Sequence, residues 1–287
     1  MMRQRAADIV RNDSMKPLKK MSVVLAMAMA MASATVQAAM KTDWAHYGGD
    51  IGDSKYSALD QINAHTITRL KIVWRAPAID PAFRAEHPQA KLSDNYRNAP
   101  VVVGGVMYIS NQIGQVEARD PASGKLMWRQ GDFAGDPPST SGNAARAVAL
   151  WGKGANSRVV TVRGQYLYLL NARTGAFIQD FGEKGRVDLR EGPKTIFSWG
   201  APAPIIVNDV IVIGGQPIAT GVADINKASL PGNIRGYDVH TGKLLWTFHT
   251  VPHEGEPGTE SWENESWRQG GKTKVWSGFS ADEKLVD

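Results

Sequence analysis

Ala118-Arg-Asp-Pro-Ala-Ser-Gly-Lys-Leu-Met-Trp128, Leu170-Asn-Ala-Arg-Thr-Gly-Ala-Phe177 and Gly236-Tyr-Asp-Val-His-Thr-Gly-Lys-Leu-Leu-Trp246 are three copies of one cassette. Each copy carries Asp or Asn, then a Ser or Thr hydroxyl three residues on, then Gly. That order suits a tight turn closed by a side-chain hydrogen bond and one residue at positive φ. An apolar run follows each turn. Recurrence of such a unit predicts radial repetition, because one four-stranded blade cannot bury both of its faces and must stack on neighbours. The fold class expected is all-β, a partial β-propeller of about three four-stranded blades plus the start of a fourth.

Working outward from the cassettes, each unit reads as four short β-prone runs separated by turn residues. Unit one comprises Val101 to Val103, Val106 to Ile109, Gln115 to Ala118 and Leu126 to Trp128. Unit two comprises Ala147 to Trp151, Arg158 to Val162, Tyr166 to Leu170 and Ala176 to Ile178. It lacks the closing Trp, and Phe177 and Phe181 are the side chains available to fill that space. Unit three comprises Pro204 to Val207, Val210 to Ile213, Ile234 to Tyr237 and Leu244 to Phe248, with a long insertion after its second run. Beyond it, Lys274 to Ser280 reads as a first strand, Ala281 to Lys284 as its turn, and Leu285-Val286 as the start of a second strand. Leu70 to Arg75 reads as a strand with no hairpin partner beside it in sequence.

Residues 1–38 read as a secretory leader, with residues 1–14 read as an untranslated upstream extension and translation starting at Met15. Lys16, Lys19 and Lys20 precede a mild apolar run from Met21 to Ala34, and Val36-Gln37-Ala38 supplies small residues for cleavage. A membrane anchor is the competing reading; the run is Ala- and Met-rich and shorter than the roughly 20 residues a span requires. Setting the leader aside leaves 27 of the 33 basic residues and 26 of the 28 acidic ones. That balance gives no reason to expect a nucleic-acid partner. With no cysteine, disulfides, thiolate metal sites, a lipid-modified amino-terminal Cys and covalent c-type haem attachment are excluded. The domain reading is therefore a leader over 1–38 and, over 39–287, the amino-terminal part of a propeller interrupted within its fourth blade, in a periplasmic protein.

Two further blocks resemble one family. Asp43-Trp-Ala-His-Tyr-Gly-Gly-Asp50, continuing through Ser54 to Ser57 and Leu59 to Asn63 into Leu70-Lys-Ile-Val-Trp74, is similar to the opening of the pyrroloquinoline-quinone (PQQ) dependent dehydrogenases. Pro231-Gly-Asn-Ile-Arg-Gly-Tyr-Asp238, His240 to Thr250 and Gly255-Glu-Pro-Gly-Thr-Glu-Ser-Trp262 resemble the sugar and polyol, glucose dehydrogenase-like, branch of that family. The resemblance implies an eight-bladed propeller with PQQ and a calcium ion on its axis. It also implies oxidation of a sugar or polyol hydroxyl by hydride transfer to PQQ, with a quinone or cytochrome as electron acceptor.

Such chemistry needs a base, a Lewis acid and a rigid slot for a flat tricarboxylate, with aromatic floors and Arg forks. By resemblance, Trp276 matches the indole on which the quinone ring stacks; the competing reading is an inter-blade packing Trp. Arg146 falls where the family places an Arg against a cofactor carboxylate, although Ala147 and Leu150 replace the Gly and Tyr usual in the sugar-oxidising branch. A solvated surface Arg is its alternative. Gln216 stands where a hydroxyl often faces the cofactor. Ala219 occupies the position of the calcium-binding Glu of alcohol-type enzymes, and Asp224 is the nearest carboxylate, more simply a solvated loop residue. The remaining calcium ligand and the catalytic base are expected beyond Asp287, so no catalytic residue is assigned. His249 reads as a hydrogen-bonded structural residue, and the Glu254, Glu256, Glu260, Glu263 and Glu265 cluster as a solvated loop face.

Two functions follow as alternatives: a periplasmic quinoprotein dehydrogenase represented by its amino-terminal portion, or a non-catalytic propeller scaffold of the cell envelope. The opening block and the absent lipidation Cys favour the first. Three blades of eight would expose strand edges and leave an axial site unassembled, so the chain is expected to be inactive by itself unless a second polypeptide completes the ring.

Overall fold

The computed structural model describes residues 43–89, 92, 97–132, 146–190, 195–198, 203–219, 230–269 and 273–285. The leader and Asp224 lie outside the described residues. Among those residues no helix is long and apolar enough to cross a membrane.

Three four-stranded antiparallel sheets form in chain order. Blade one contains β1 (Val101–Val103), β2 (Val106–Ser110), β3 (Val116–Arg119) and β4 (Leu126–Arg129). Blade two contains β5 (Ala149–Trp151), β6 (Arg158–Arg163), β7 (Tyr166–Asn171) and β8 (Arg186–Asp188). A two-stranded sheet pairs β9 (Thr195–Ser198) with β12 (Gln216–Ala219). Blade three contains β10 (Ile205–Val207), β11 (Val210–Gly214), β13 (Ile234–Asp238) and β14 (Leu244–Phe248). One short helix, α1 (Pro81–Glu86), is capped by Asp80, whose carboxylate accepts from Ala82 N and Phe83 N. The same carboxylate pairs with Arg129 of β4 at 3.0 Å, which ties the helix to blade one.

The cassette turns form as their residues dictate. Asp120 Oδ1 accepts from Ser123 N and Ser123 Oγ at 2.7 and 2.6 Å; Asp238 does the same with Thr241 at 2.7 and 2.6 Å. Asn171 Oδ1 accepts from Arg173 N and Thr174 N at 2.9 and 3.2 Å. In each turn the Gly amide closes back on the first carbonyl at 2.8 Å, at φ of 71°, 73° and 74°. Blades one and three also carry a β-bulge at the same point, between Ala118 and Arg119 and between Gly236 and Tyr237.

These glycines have a second role. A Cβ on Gly124 would lie 2.5 Å from the indole of Trp74, whose Nε1 donates to Pro121 O at 3.0 Å. A Cβ on Gly175 would lie 2.5 Å from Trp128, whose Nε1 donates to Ala172 O at 3.0 Å. The closing Trp of unit one thus lies on the turn of unit two, and Trp74, ahead of unit one, lies in the same way on the turn of unit one. At Gly242 the preceding blade has no closing Trp, and Val187 and Phe181 cover the glycine instead. Phe181 therefore fills the expected space, whereas Phe177 packs with Tyr168 between blades one and two.

The core is the pair of seams on either side of blade two. Successive side chains of a strand point to opposite faces; accordingly Leu167, Leu169, Val160 and Val162 join Ile206, Ile211 and Ile213 of blade three. Tyr168, Leu170 and Val159 join Val101, Val116 and Ala118 of blade one. Outer strand β14 differs: Leu244, Leu245, Trp246 and Phe248 are 41–60% exposed.

Three expectations need correction. The fourth strand of blade two is Arg186–Asp188, not Ala176 to Ile178. Phe177 makes a single bridge to Leu170, and the chain then loops to bury Phe181 before pairing again along β7. Leu70 to Arg75 forms no strand, and Leu70, Ile72 and Val73 are exposed while Trp74 alone is anchored. Lys274 to Ser280 likewise carries no ladder among the described residues, although the turn after it closes through Leu285 N to Asp282 O. A strand is stabilised by its partners, and among the described residues these runs have no paired strand beside them.

Gly175→Ala and Gly124→Ala should each lower the urea midpoint well beyond Gly104→Ala. All three sites have positive φ, but nothing lies within 4 Å of a Cβ at Gly104; the αL penalty of about 1–2 kcal/mol is common to all, so the excess reads the indole contact. The turn carboxylates give a second expectation. Hydrogen bonds from Ser123 and Thr241 hold Asp120 and Asp238 below the ordinary carboxylate range. Their stabilisation is therefore present above about pH 4, the unfolded value, and is lost as pH falls through the folded value. The urea-midpoint gap between the native chain and an Asp120→Asn/Asp238→Asn variant should narrow on going from pH 7 to pH 3.

Candidate functional site

Within each blade the first strand begins where the second ends, so the inner strand starts mark one end of the sheets. Ala99 N donates to Arg146 O at 2.7 Å, joining the approach to β1 with the approach to β5. Ala203, just before β10, packs in the same buried cluster as Ala147 and Val148. Three strand starts therefore gather together. The opening segment lies along this inner edge, with Trp44 and Val102 exchanging backbone hydrogen bonds at 2.8 and 2.9 Å.

Trp276 reaches the same end by packing of its neighbours. Val275 lies against Gly214 at the end of β11, two residues before Gln216. Gly232 N donates to Thr273 O at 2.6 Å, and the hydroxyls of Thr250 and Thr273 meet at 2.8 Å. A Cβ on Gly232 would lie 2.4 Å from Gly215 O and 2.5 Å from Thr273 O. Glycine is needed there because three backbone segments converge, which gives the Pro231-Gly-Asn block a physical reason.

The three sequence candidates are placed as follows. Trp276 is 58% exposed, with Lys274 Nζ 4.8 Å from its ring centroid. It covers no cassette glycine, unlike Trp74 and Trp128. Arg146 is half-buried immediately before β5. Gln216 opens β12 and pairs with Ser198 of β9. The β9–β12 arm was not legible in the sequence, because its strands come from two different linkers and pair at long range.

An exposed indole plate beside an ammonium group, at the end of the sheets where Arg146 also stands, fits a flat polyanion such as PQQ. Calcium does not fit in the same way. Among the described residues no group of three carboxylates or imidazoles lies at Gln216, and Ala219 offers no side-chain oxygen. Two other arginines of this end, missed in the sequence, are buried at 6% exposure. Arg163 pairs with Asp132 at 3.0 Å and Arg235 donates to Leu189 O at 3.0 Å, so both have structural partners.

The opposite end of the inner strands holds a cavity of about 530 Å³ lined in part by His46, Trp151, Asp209 and Glu283. Burial pushes the His46 imidazole below its ordinary value, against the pull of Asp50 and Glu283. Trp151 Nε1 donates to Asp209 Oδ1 at 2.7 Å across the blade seam. The acidic loop is exposed as expected, but it is organised: Arg268 bridges Glu254 and Glu265 at 3.1 and 2.9 Å.

Gly232→Ala should push the 273–276 segment away from Gly215 without disturbing the blades. The expected outcome is a changed acrylamide quenching of Trp276, read as the difference from a Trp276→Phe background, with unchanged far-ultraviolet circular dichroism.

Comparison with known proteins agrees with this blade architecture. The quinate/shikimate dehydrogenase (quinone) of Acinetobacter baylyi is 30% identical over 85% of this chain and 32% of its own length. Quinoprotein glucose dehydrogenase A of Acinetobacter calcoaceticus is 30% identical over 73% of this chain and 28% of its own. The crystal structure of quinohemoprotein alcohol dehydrogenase from Comamonas testosteroni superposes with a TM-score of 0.59 at 26% identity, covering 85% of this chain and 34% of that one. The chain spans about a third of the length of these relatives. Residues 44–286 match the family described as PQQ: glucose/ethanol/alcohol dehydrogenase, beta-propeller domain, and the chain belongs to that family.

Proposed function

We propose that this chain is the amino-terminal part of a periplasmic PQQ-dependent dehydrogenase that oxidises a sugar or polyol hydroxyl and passes electrons to a quinone or cytochrome. The observation that carries the reading is the half-exposed Trp276 indole beside Lys274, held at the inner end of the blades by Val275 on Gly214 and by the close backbone approach at Gly232. A tryptophan serving only as an inter-blade wedge would lie on a turn glycine and donate its N–H, as Trp74 and Trp128 do.

In this proposal Trp276 supplies an aromatic floor, and Arg146 and Lys274 supply positive charge for carboxylates. When bound, PQQ supplies the two-electron acceptor to which the substrate's hydride passes. Stacking on an indole orients a planar ring and keeps water off one face, while a guanidinium fixes in-plane rotation through directional hydrogen bonds. Gln216, on the strand beginning two residues after Gly214, is the candidate for a polar contact at the ring edge. The base that removes the hydroxyl proton and the calcium donors are proposed to lie on other blades, so this segment binds and orients but does not turn over by itself. The sugar or polyol class rests on the likeness of the Pro231 to Asp238 and Gly255 to Trp262 blocks. The matched relatives are named for quinate or shikimate, glucose and alcohols.

The experiment is a PQQ titration of the purified chain followed by tryptophan quenching, with and without calcium, together with dye reduction on glucose and simple polyols. Trp276→Phe should keep most of the affinity, and Trp276→Ala should weaken it about tenfold. Arg146→Ala should weaken it about ten- to a hundredfold, as expected for a charged hydrogen bond of about 1.5–3 kcal/mol. Equal affinities for all three variants would overturn the assignment, and steady turnover by the chain alone would overturn its dependence on other blades.

A further inference from the structure

We infer that His249, His253 and Glu256 form a binding site for a transition-metal ion of the zinc class, separate from the cofactor reading and not dependent on it. The three side chains follow directly from β14. Their ligand atoms, one from each residue, all lie within 4.8 Å of one another. His249 Nδ1 stands 2.7 Å from Glu256 Oε1, while the other oxygen, Oε2, accepts from the His253 backbone N–H at 2.8 Å. The carboxylate is therefore oriented from both sides before any ion arrives. The imidazoles of His249 and His253 stack at 3.8 Å with 22° between their planes.

Two imidazoles and one carboxylate form a donor set suited to zinc, with bonds of about 2.0–2.2 Å and a preference for four ligands. Closing the present atoms onto an ion requires ligand separations of about 3.4 Å, the edge of a tetrahedron with bonds of that length. His253 is exposed, so its ring can turn out of the stack to reach that position. The turn itself is already braced, with Glu256 N donating to His253 O at 3.0 Å and Thr259 Oγ1 donating to Glu256 O at 3.0 Å. Calcium is a poor match because it selects six to eight oxygens rather than imidazole nitrogen.

The fourth position has a setting as well. Both imidazoles line a cavity of about 550 Å³ between blades two and three, whose wall includes Asn233, Arg190 and Arg235. A water or an anionic oxygen entering that cavity is the expected fourth ligand.

The test uses the full chain without an affinity tag, titrated with Zn²⁺ against a chromophoric chelator and with Co²⁺ as an optical probe, in the absence of PQQ. One equivalent should bind, with a tetrahedral Co²⁺ absorption, and Ca²⁺ should not displace it. His253→Gln, a surface change that leaves the fold intact, should weaken zinc about tenfold or more, and His249→Gln/His253→Gln should abolish the site. Retention of native zinc affinity by the double variant, absence of binding to the native chain, or displacement by stoichiometric Ca²⁺ would each overturn the inference. Because no cofactor is present, none of these results bears on the PQQ titration.

Discussion

The contact between a tryptophan and the turn glycine of the next blade is the constraint on which the rest of the structure depends. Trp74 on Gly124 and Trp128 on Gly175 use the same geometry, and each indole N–H donates to a carbonyl of the turn it covers. The glycine satisfies two demands that no other residue meets together. It takes the positive φ that closes the cassette turn, and it leaves room for an indole face. Blade two meets the demand by another route, with Val187 and a looped-in Phe181 over Gly242. The stacking of blades is thereby specified at the turns, and the apolar strands fill the seam behind them.

That stacking explains why the candidate site stands where it does. Once the seams set the blades side by side, the starts of β1, β5 and β10 come together through Ala99, Arg146 and Ala203. Backbone crowding at Gly232 then fixes the segment that carries Lys274 and Trp276. Trp276 and Arg146 stand 130 residues apart in sequence, whereas Lys274 is two residues from Trp276. The His249–Glu256 turn is local by contrast: it follows directly from β14, a strand whose outer face remains exposed, and it carries Glu254 and Glu256 of the acidic cluster.

Much of this was legible from residue order, for a physical reason in each case. The Asp or Asn, Ser or Thr, Gly spacing encodes a local turn, and local turns depend on neighbours in sequence. The near-continuous apolar runs of β6 and β7 match burial on both faces, which requires a blade on either side. The cassette predicted that a closing aromatic would be needed in blade two, and Phe181 supplies it. The resemblance of the opening and Pro231 blocks to quinoprotein dehydrogenases agreed with the family match over residues 44–286. What failed was strand assignment where pairing is not local. Ala176 to Ile178 looked like a strand because it is apolar, yet the loop that buries Phe181 displaces the ladder to Arg186–Asp188. Leu70 to Arg75 and Lys274 to Ser280 have strand composition without a ladder, and β9 and β12 have a ladder that composition did not announce.

Turn chemistry, blade repetition and the separation of apolar faces were written in the chain itself, because each depends on spacings of two to five residues. Which residues meet at the inner end of the blades was not, because it depends on where whole sheets sit relative to one another. The convergence of Gly215, Gly232 and Thr273 and the closure of His249, His253 and Glu256 onto one turn are long-range or conformational events. Packing between blades and the path of the backbone bring those atoms within reach, and neither can be read from composition or period.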